Sequence, residues 1–138
     1  MGVLDVSAEK LIGAVAAELE KEGKVKPPEW SGFVKSGAHV ERVPQDNKFW
    51  FVRAASLLRT VYVRGEAVGV ERLRHKYGGR KEHRVSRAHH EKAGGKTIRT
   101  CLQQLEAAGL VKKEKTGGRT ITPAGASFLD KCAKRVGG

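Results

Sequence analysis

The run Lys48-Phe49-Trp50-Phe51-Val52-Arg53-Ala54-Ala55-Ser56-Leu57-Leu58-Arg59-Thr60-Val61-Tyr62 decides how the rest of the chain must be arranged. At about 3.6 residues per turn, Phe49, Trp50, Phe51, Val52, Ala54, Ala55, Leu57, Leu58 and Val61 cover most of the circumference of a helix. Only Arg53, Ser56, Arg59 and Thr60 interrupt them. A surface helix keeps its apolar residues on one stripe, so a helix apolar nearly all round belongs at the centre, with other helices packed about it. Trp50 and Leu57 therefore read as core residues, and Arg53 as emerging on the polar side. Base stacking by Trp50 is the weaker alternative.

Upstream, Ser7 is placed to cap a first helix whose apolar residues Leu11, Ile12, Val15 and Leu19 fall on one side and which Gly23 ends. Pro27-Pro28 then opens a short second helix with Trp30, Phe33 and Val34 on one side, and Gly37 to Asn47 is a loop broken by Pro44. Downstream, Gly69 to Tyr77 reads as a short basic helix ended by Gly78-Gly79, and a basic loop follows over residues 78–96. Ile98, Cys101, Leu102 and Leu105 mark the buried stripe of a further helix stopping at Gly109. Leu110 to Glu114 and Arg119 to Thr122 are strand candidates joined by a hairpin turn at Lys115-Thr116-Gly117-Gly118. A last helix starts at Thr122-Pro123, with Phe128, Leu129, Cys132 and Val136 on one face. The predicted fold is mainly α: a single helical domain around a central amphipathic helix, with a winged helix-turn-helix-like unit and a short β-hairpin. No internal repeat or dividing linker is visible. The parts run 1–47 (N-terminal helices), 48–68 (central helix) and 69–138 (winged-helix-like part with the basic loop).

Charge separates the two ends of the chain. The 138 residues carry a formal net charge of +12. Residues 1–47 hold six Lys/Arg against eight Asp/Glu, a net of −2, and residues 48–138 hold twenty-one against seven, a net of +14. Between Arg72 and Arg99 lie ten Lys/Arg and four His against only Glu82 and Glu91. Like charges packed this densely repel one another unless a polyanion answers them, and that points to nucleic acid. The candidate phosphate ligands are Arg72, Arg74 and Lys76 on the short helix; Arg80, Lys81, Arg84 and Arg87 in the loop; and Lys92, Lys96 and Arg99 leading into the next helix. Arg53, Arg59 and Arg64 add to them from the polar strip of the central helix. Of eight Phe, Trp and Tyr residues only Tyr77 lies in the basic tract. Single-strand binders interleave stacking rings with charge, so backbone and shape recognition of folded RNA is favoured.

Other chemistries find little support. Gly94-Gly95-Lys96-Thr97 resembles the end of a phosphate-binding P-loop, but His90 stands where the first glycine belongs and no apolar strand precedes it. His75, His83, His89 and His90, with Cys101, match no structural zinc spacing. Glu106, Glu114 and Asp130 fall on exposed positions with no nucleophile and base to join them, so an enzyme is the least supported class. No metal, cofactor or small-molecule substrate is expected. Cys101 and Cys132 fall on apolar helical positions and read as buried thiols, which suits a reducing compartment. Glu18 and Glu20 break the longest apolar stretch near the start, so no signal peptide or membrane span is expected and the protein reads as cytoplasmic.

Several runs resemble one known family in order and at its spacing. They are Lys26-Pro27-Pro28-Glu29-Trp30, Phe49 to Ser56, Val61-Tyr62-Val63-Arg64-Gly65, Tyr77-Gly78-Gly79-Arg80, Leu102-Gln103-Gln104-Leu105 and Gly117 to Pro123. The chain resembles, over essentially its full length, the S-nineteen-e family of small-subunit ribosomal proteins of archaea and eukaryotes. The resemblance implies one ribosomal-protein domain over 1–138 that binds rRNA in the head of the small subunit beside neighbouring ribosomal proteins. It also implies a part in small-subunit assembly and maturation, with a nucleolar stage if the source is eukaryotic. Family contacts to RNA map onto Arg53 and Arg59 and onto the Gly-Gly-Arg loop with the basic segment after it. Relatives tend to carry Pro and Phe in that loop, where this chain has Arg84 to His90; the charge is kept. The rival class is a winged-helix DNA-binding transcriptional regulator, reading a major groove with Thr97 to Leu105 and using Lys112 to Arg119 as a wing. Against it, the outward positions Gln103, Gln104 and Glu106 are not basic. An interaction surface on the acidic first helix (Glu9, Glu18, Glu20, Glu22) is compatible with either.

Overall fold

The computed structural model describes residues 3–23, 25–28, 48–77, 79–81, 89–91, 95–115 and 117–137, with the backbone alone for 48, 49, 79–81, 89–91 and 95. A 3-10 turn, Val3–Asp5, precedes α1 (Ala8–Glu22), α2 (Lys48–Arg64) and α3 (Val70–Lys76). Strands β1 (Gly79–Lys81) and β2 (His89–Glu91) follow, then α4 (Gly95–Ala107), β3 (Val111–Lys113), β4 (Arg119–Ile121) and α5 (Pro123–Gly137). The molecule is mainly helical, as expected.

Helix α2 is the axis of the core. Trp50, Phe51, Ala54, Ala55, Leu57, Leu58, Thr60 and Val61 are all buried, and α1, α4, β4 and α5 pack around them. Burying a side chain of the size of Leu57 or Trp50 removes enough apolar surface from water to stabilise the fold by about 1.5–3 kcal/mol each. Leu11, Val15, Ala16 and Leu19 come from α1, Ile98, Cys101, Leu102 and Leu105 from α4, and Leu129, Cys132 and Ala133 from α5. Both cysteines are free and buried. Val52 departs from the expected girdle at 45% exposed, and Val63 matches it at 48%. Val52, Ser56, Arg59 and Val63 follow one another at steps of four, three and four residues, so they share a line of α2 that stays partly open, with Val52 and Val63 exposed and Ser56 and Arg59 half-buried.

Local chemistry ends the helices where the sequence placed their ends, with exceptions. Ser7 occupies the N-cap of α1, yet its side chain makes no capping hydrogen bond; its carbonyl accepts from Leu11 N–H at 3.0 Å. Thr122 does cap α5: its hydroxyl accepts from Gly125 N–H at 3.0 Å and donates to Gly109 O at 2.7 Å. Gly109 (φ +81°) closes α4 in the left-handed conformation that glycine adopts most cheaply. Leu110 N–H then reaches back to Leu105 O at 3.0 Å, satisfying a carbonyl at the helix end.

Three expectations are corrected. Residues 78–96 were read as loop, but β1 and β2 pair antiparallel within them, with Arg80 opposite His90 and Lys81 opposite His89. Polar three-residue strands carry no apolar alternation to announce them. Within the central part, residues 48–68, α2 runs to Arg64, two residues beyond Tyr62. Val68 exchanges backbone hydrogen bonds with Arg119 at 3.0 Å each way, laying a third short edge against the β3–β4 hairpin. Gln104 does not point outward: its side-chain oxygen accepts from Trp50 Nε1 at 2.9 Å and its amide nitrogen donates to Lys26 O at 2.8 Å. The proposed second helix is not helical at Pro27 and Pro28, and its remainder lies outside the described residues.

Candidate nucleic-acid interface

The partly open line of α2 meets the end of α3, and the contacts there are specific. Ser56 and Thr60, one turn apart on α2, both face Tyr77, the residue that closes α3. Tyr77 Oη lies 2.6 Å from Ser56 Oγ and 3.2 Å from Thr60 Oγ1. Thr60 Oγ1 donates to Ser56 O at 2.9 Å, and Lys76 Nζ donates to Thr60 Oγ1 at 2.8 Å. The Arg53 guanidinium carbon stands 4.3 Å from the centroid of the Tyr77 ring, and Lys76 Nζ is 5.7 Å from the same centroid.

Positive charge gathers around this ring. Partial burial, and then the charges of Arg59 and Arg64, hold the Lys76 ammonium below its ordinary pKa, so these three cations share one neighbourhood. Burial also lowers the pKa of Arg53, but an arginine starts so high that it keeps its proton. Arg59 is half-buried, and its Nε is buried with no hydrogen-bond partner among the described residues. A buried N–H of that kind costs about 1–3 kcal/mol while unsatisfied. Ion pairs among the described residues include Glu71 with Arg74 at 2.8 Å, Glu106 with Arg119 at 3.5 Å, and Glu18 with Arg135.

The structure thus brings together Arg53, Arg59, Arg64 and Lys76. Arg72 is exposed on α3, one turn before Lys76 on the same flank, whereas Arg74 is tied to Glu71. Arg80 and Lys81 belong to β1, directly after the cluster. Lys96 and Arg99 are exposed on the first turns of α4. Arg84, Arg87 and Lys92 lie outside the described residues. The sequence reading missed Ser56, Thr60 and Tyr77 as organising residues. The signal was there in part, as two hydroxyls at i and i+4 on an otherwise apolar helix.

The remaining candidates resolve differently. Among the described residues no group of three or more His, Cys, Asp or Glu could hold a metal, and no helix is long and apolar enough to cross a membrane. Glu106 and Glu114 are half-buried, contrary to expectation: Glu106 pairs with Arg119, and Glu114 accepts from Thr120 Oγ1 at 2.8 Å. Asp130 is half-buried as well. A cleft of about 390 Å³ between α1 and α5, lined by Glu18, Glu22, Phe128, Lys131, Cys132 and Arg135 among others, lies apart from the cation cluster.

Comparison with known proteins fits this architecture. The family model described as Ribosomal protein S19e matches residues 2–138. The chain is 49% identical over 137 residues to the small ribosomal subunit protein eS19 of Aeropyrum pernix, covering 99% of this chain and 90% of that one. It is 40% identical over 136 residues to the protein of the same name from Mya arenaria, covering 99% and 91%. By a family match over residues 2–138 and these two relatives, this chain belongs to the ribosomal protein S19e family.

Proposed function

We propose that this ribosomal protein binds folded rRNA of the small subunit, in the subunit head, through a surface centred on the polar line of α2. From there the surface runs over Lys76 and the Gly-Gly-Arg strand to the start of α4. The observation that carries this reading is the cation cluster: the charges of Arg59 and Arg64 bear on Lys76, and Arg59 keeps a buried N–H without an acceptor among the described residues. A phosphate would relieve both costs at once, since it brings negative charge and acceptor oxygens together. Arg53, Arg72, Arg74, Lys96 and Arg99 extend the same surface, and Arg80, Lys81, Arg84 and Arg87 are assigned to RNA from their place in the basic tract of the sequence. The protein works bound to ribosomes in the cytoplasm, beside other small-subunit proteins, and takes part in assembling the subunit.

The DNA-regulator reading loses its recognition helix. Gln104 is spent on Trp50 and Lys26, and Glu106 on Arg119, so the outer side of α4 offers little to a major groove. Competition at moderate salt between a transcript of the small-subunit head domain and duplex DNA of equal phosphate count tests the choice. The RNA is expected to win, because its phosphates already lie on a curve. DNA competing equally well, or better with one particular sequence, would sink the ribosomal-RNA reading.

A further inference from the structure

We propose that Tyr77 is the positioning residue of this surface: its ring holds the Arg53 guanidinium, and its hydroxyl locks that ring to α2 through Ser56 and Thr60. The inference rests on the RNA-binding reading above and adds to it the part that sets the geometry.

One assignment of protons satisfies every contact. The single Thr60 hydroxyl proton goes to Ser56 O, so Thr60 Oγ1 acts as acceptor toward both Lys76 Nζ and Tyr77 Oη. Tyr77 then donates to Thr60, and the Ser56 hydroxyl donates to Tyr77 at 2.6 Å. The phenol is fixed at its tip by two bonds and at its root by its own N–H, which reaches Leu73 O at 3.0 Å. A ring held at both ends presents a fixed face. The Arg53 guanidinium carbon lies over that face, 4.3 Å from the ring centroid, a cation–π contact that restrains where the guanidinium can sit. An arginine left to sample its many rotamers would lose conformational entropy on binding, which stacking removes in advance.

Position in the chain adds a second consequence. Tyr77 closes α3 and stands two residues before β1, which opens at Gly79. Locking its side chain to α2 therefore also fixes where the Arg80-bearing strand leaves the core. The two halves of the basic surface, the α2 line and the β1–β2 hairpin, are set relative to each other through one aromatic residue.

The test is a double-mutant cycle in the full-length chain, with anisotropy of a labelled head-domain transcript as readout across a salt series and thermal melts as a fold control. Tyr77→Leu is expected to weaken binding about tenfold and to flatten the salt slope by about one unit, the share of one phosphate contact. Tyr77→Phe keeps the ring and should recover to within about threefold of wild type. In an Arg53→Ala background, Tyr77→Leu should cost little more, because the group it positions is gone. If Tyr77→Leu fails to fold, Tyr77→Phe and Thr60→Val are run against Arg53→Ala instead, with the same loss of effect expected. Losses that multiply independently, or a Tyr77→Leu protein with unchanged slope and affinity beside a weakened Arg53→Ala, would overturn the positioning role while leaving the RNA surface standing. An Arg53→Ala protein that binds like wild type would overturn the positioning role as well, and leave the RNA surface standing on Arg59, Arg64 and Lys76.

Discussion

Cys101 lies on the buried face of α4, and burial pushes its thiol up from the ordinary thiol range to about 12, with the nearby Arg53 charge pulling the other way. The thiolate is the reactive form, so at neutral pH Cys101 should resist alkylation in the native chain and react once the chain is unfolded in urea. The same shift makes stability depend on alkaline pH. Below about pH 9 the thiol is protonated in both states and the contribution is complete. Above that, the unfolded chain releases its proton while the folded one holds it until about pH 12, so stability falls as pH rises through this interval. Between pH 8.5 and 10 the wild type is expected to lose about 1 kcal/mol more than Cys101→Ala, measurable by urea titration at each pH. Equal losses in the two proteins would mean that the thiol is not held in a desolvated site. That Cys101 is buried was legible from its place in the Ile98, Cys101, Leu102, Leu105 stripe. Its nearness to Arg53 was not, because it depends on how α4 crosses α2.

Among the elements, α5 shows how closely two backbones can approach. A Cβ on Gly125 would stand 2.1 Å from Leu110 O and 2.9 Å from Ile121 Cδ1. Ile121 could yield, being the end of a side chain, but the Leu110 carbonyl is backbone and is also the acceptor for Thr122 N–H at 3.2 Å. Gly125→Ala is therefore expected to destabilise the fold by about 2–3 kcal/mol, toward the upper end for overpacking, even though alanine is the better helix former. Chemical denaturation checks it: a neutral or stabilising Gly125→Ala would show that α5 sits farther from the hairpin. The existence of α5 and its start at Thr122-Pro123 were readable from cap chemistry and the apolar spacing of Phe128, Leu129 and Cys132. The demand for glycine at 125 was not, since nothing in a helical pattern announces a neighbouring carbonyl.

For the molecule as a whole, the decisive quantity is the number of phosphates neutralised. If about six cations engage, the logarithm of affinity for a head-domain transcript should fall with log salt at a slope of roughly −4 to −6. Charge reversal at Arg80, Arg84 and Arg87 together should flatten it, whereas Lys10→Glu with Lys21→Glu on α1 should barely alter it, since α1 belongs to the end of the chain with net negative charge. A salt-independent affinity for the unmodified chain would refute the polyanion model at its root. This prediction needs only the distribution of charge along the chain, which is a property of the sequence.

Periodicity and composition by themselves determined that α2 is central, that Trp50, Leu57, Leu102 and Leu129 are buried, and that net positive charge belongs to the later part of the chain. These follow because a helix repeats its environment every turn, so several residues vote on each face. Only the tertiary structure decided which polar groups meet. Trp50 and Gln104 are separated by 54 residues along the chain and Ser56 and Tyr77 by 21, and no local pattern records such a pairing. Val68 joins Arg119 across a gap nearly as wide as the first of these, through backbone groups that every residue possesses. A hydrogen bond is set by the approach of two atoms to about 3 Å, and that approach is a product of the packed core, which is why the cation cluster could be listed from the sequence but its organising ring could be found only in the fold.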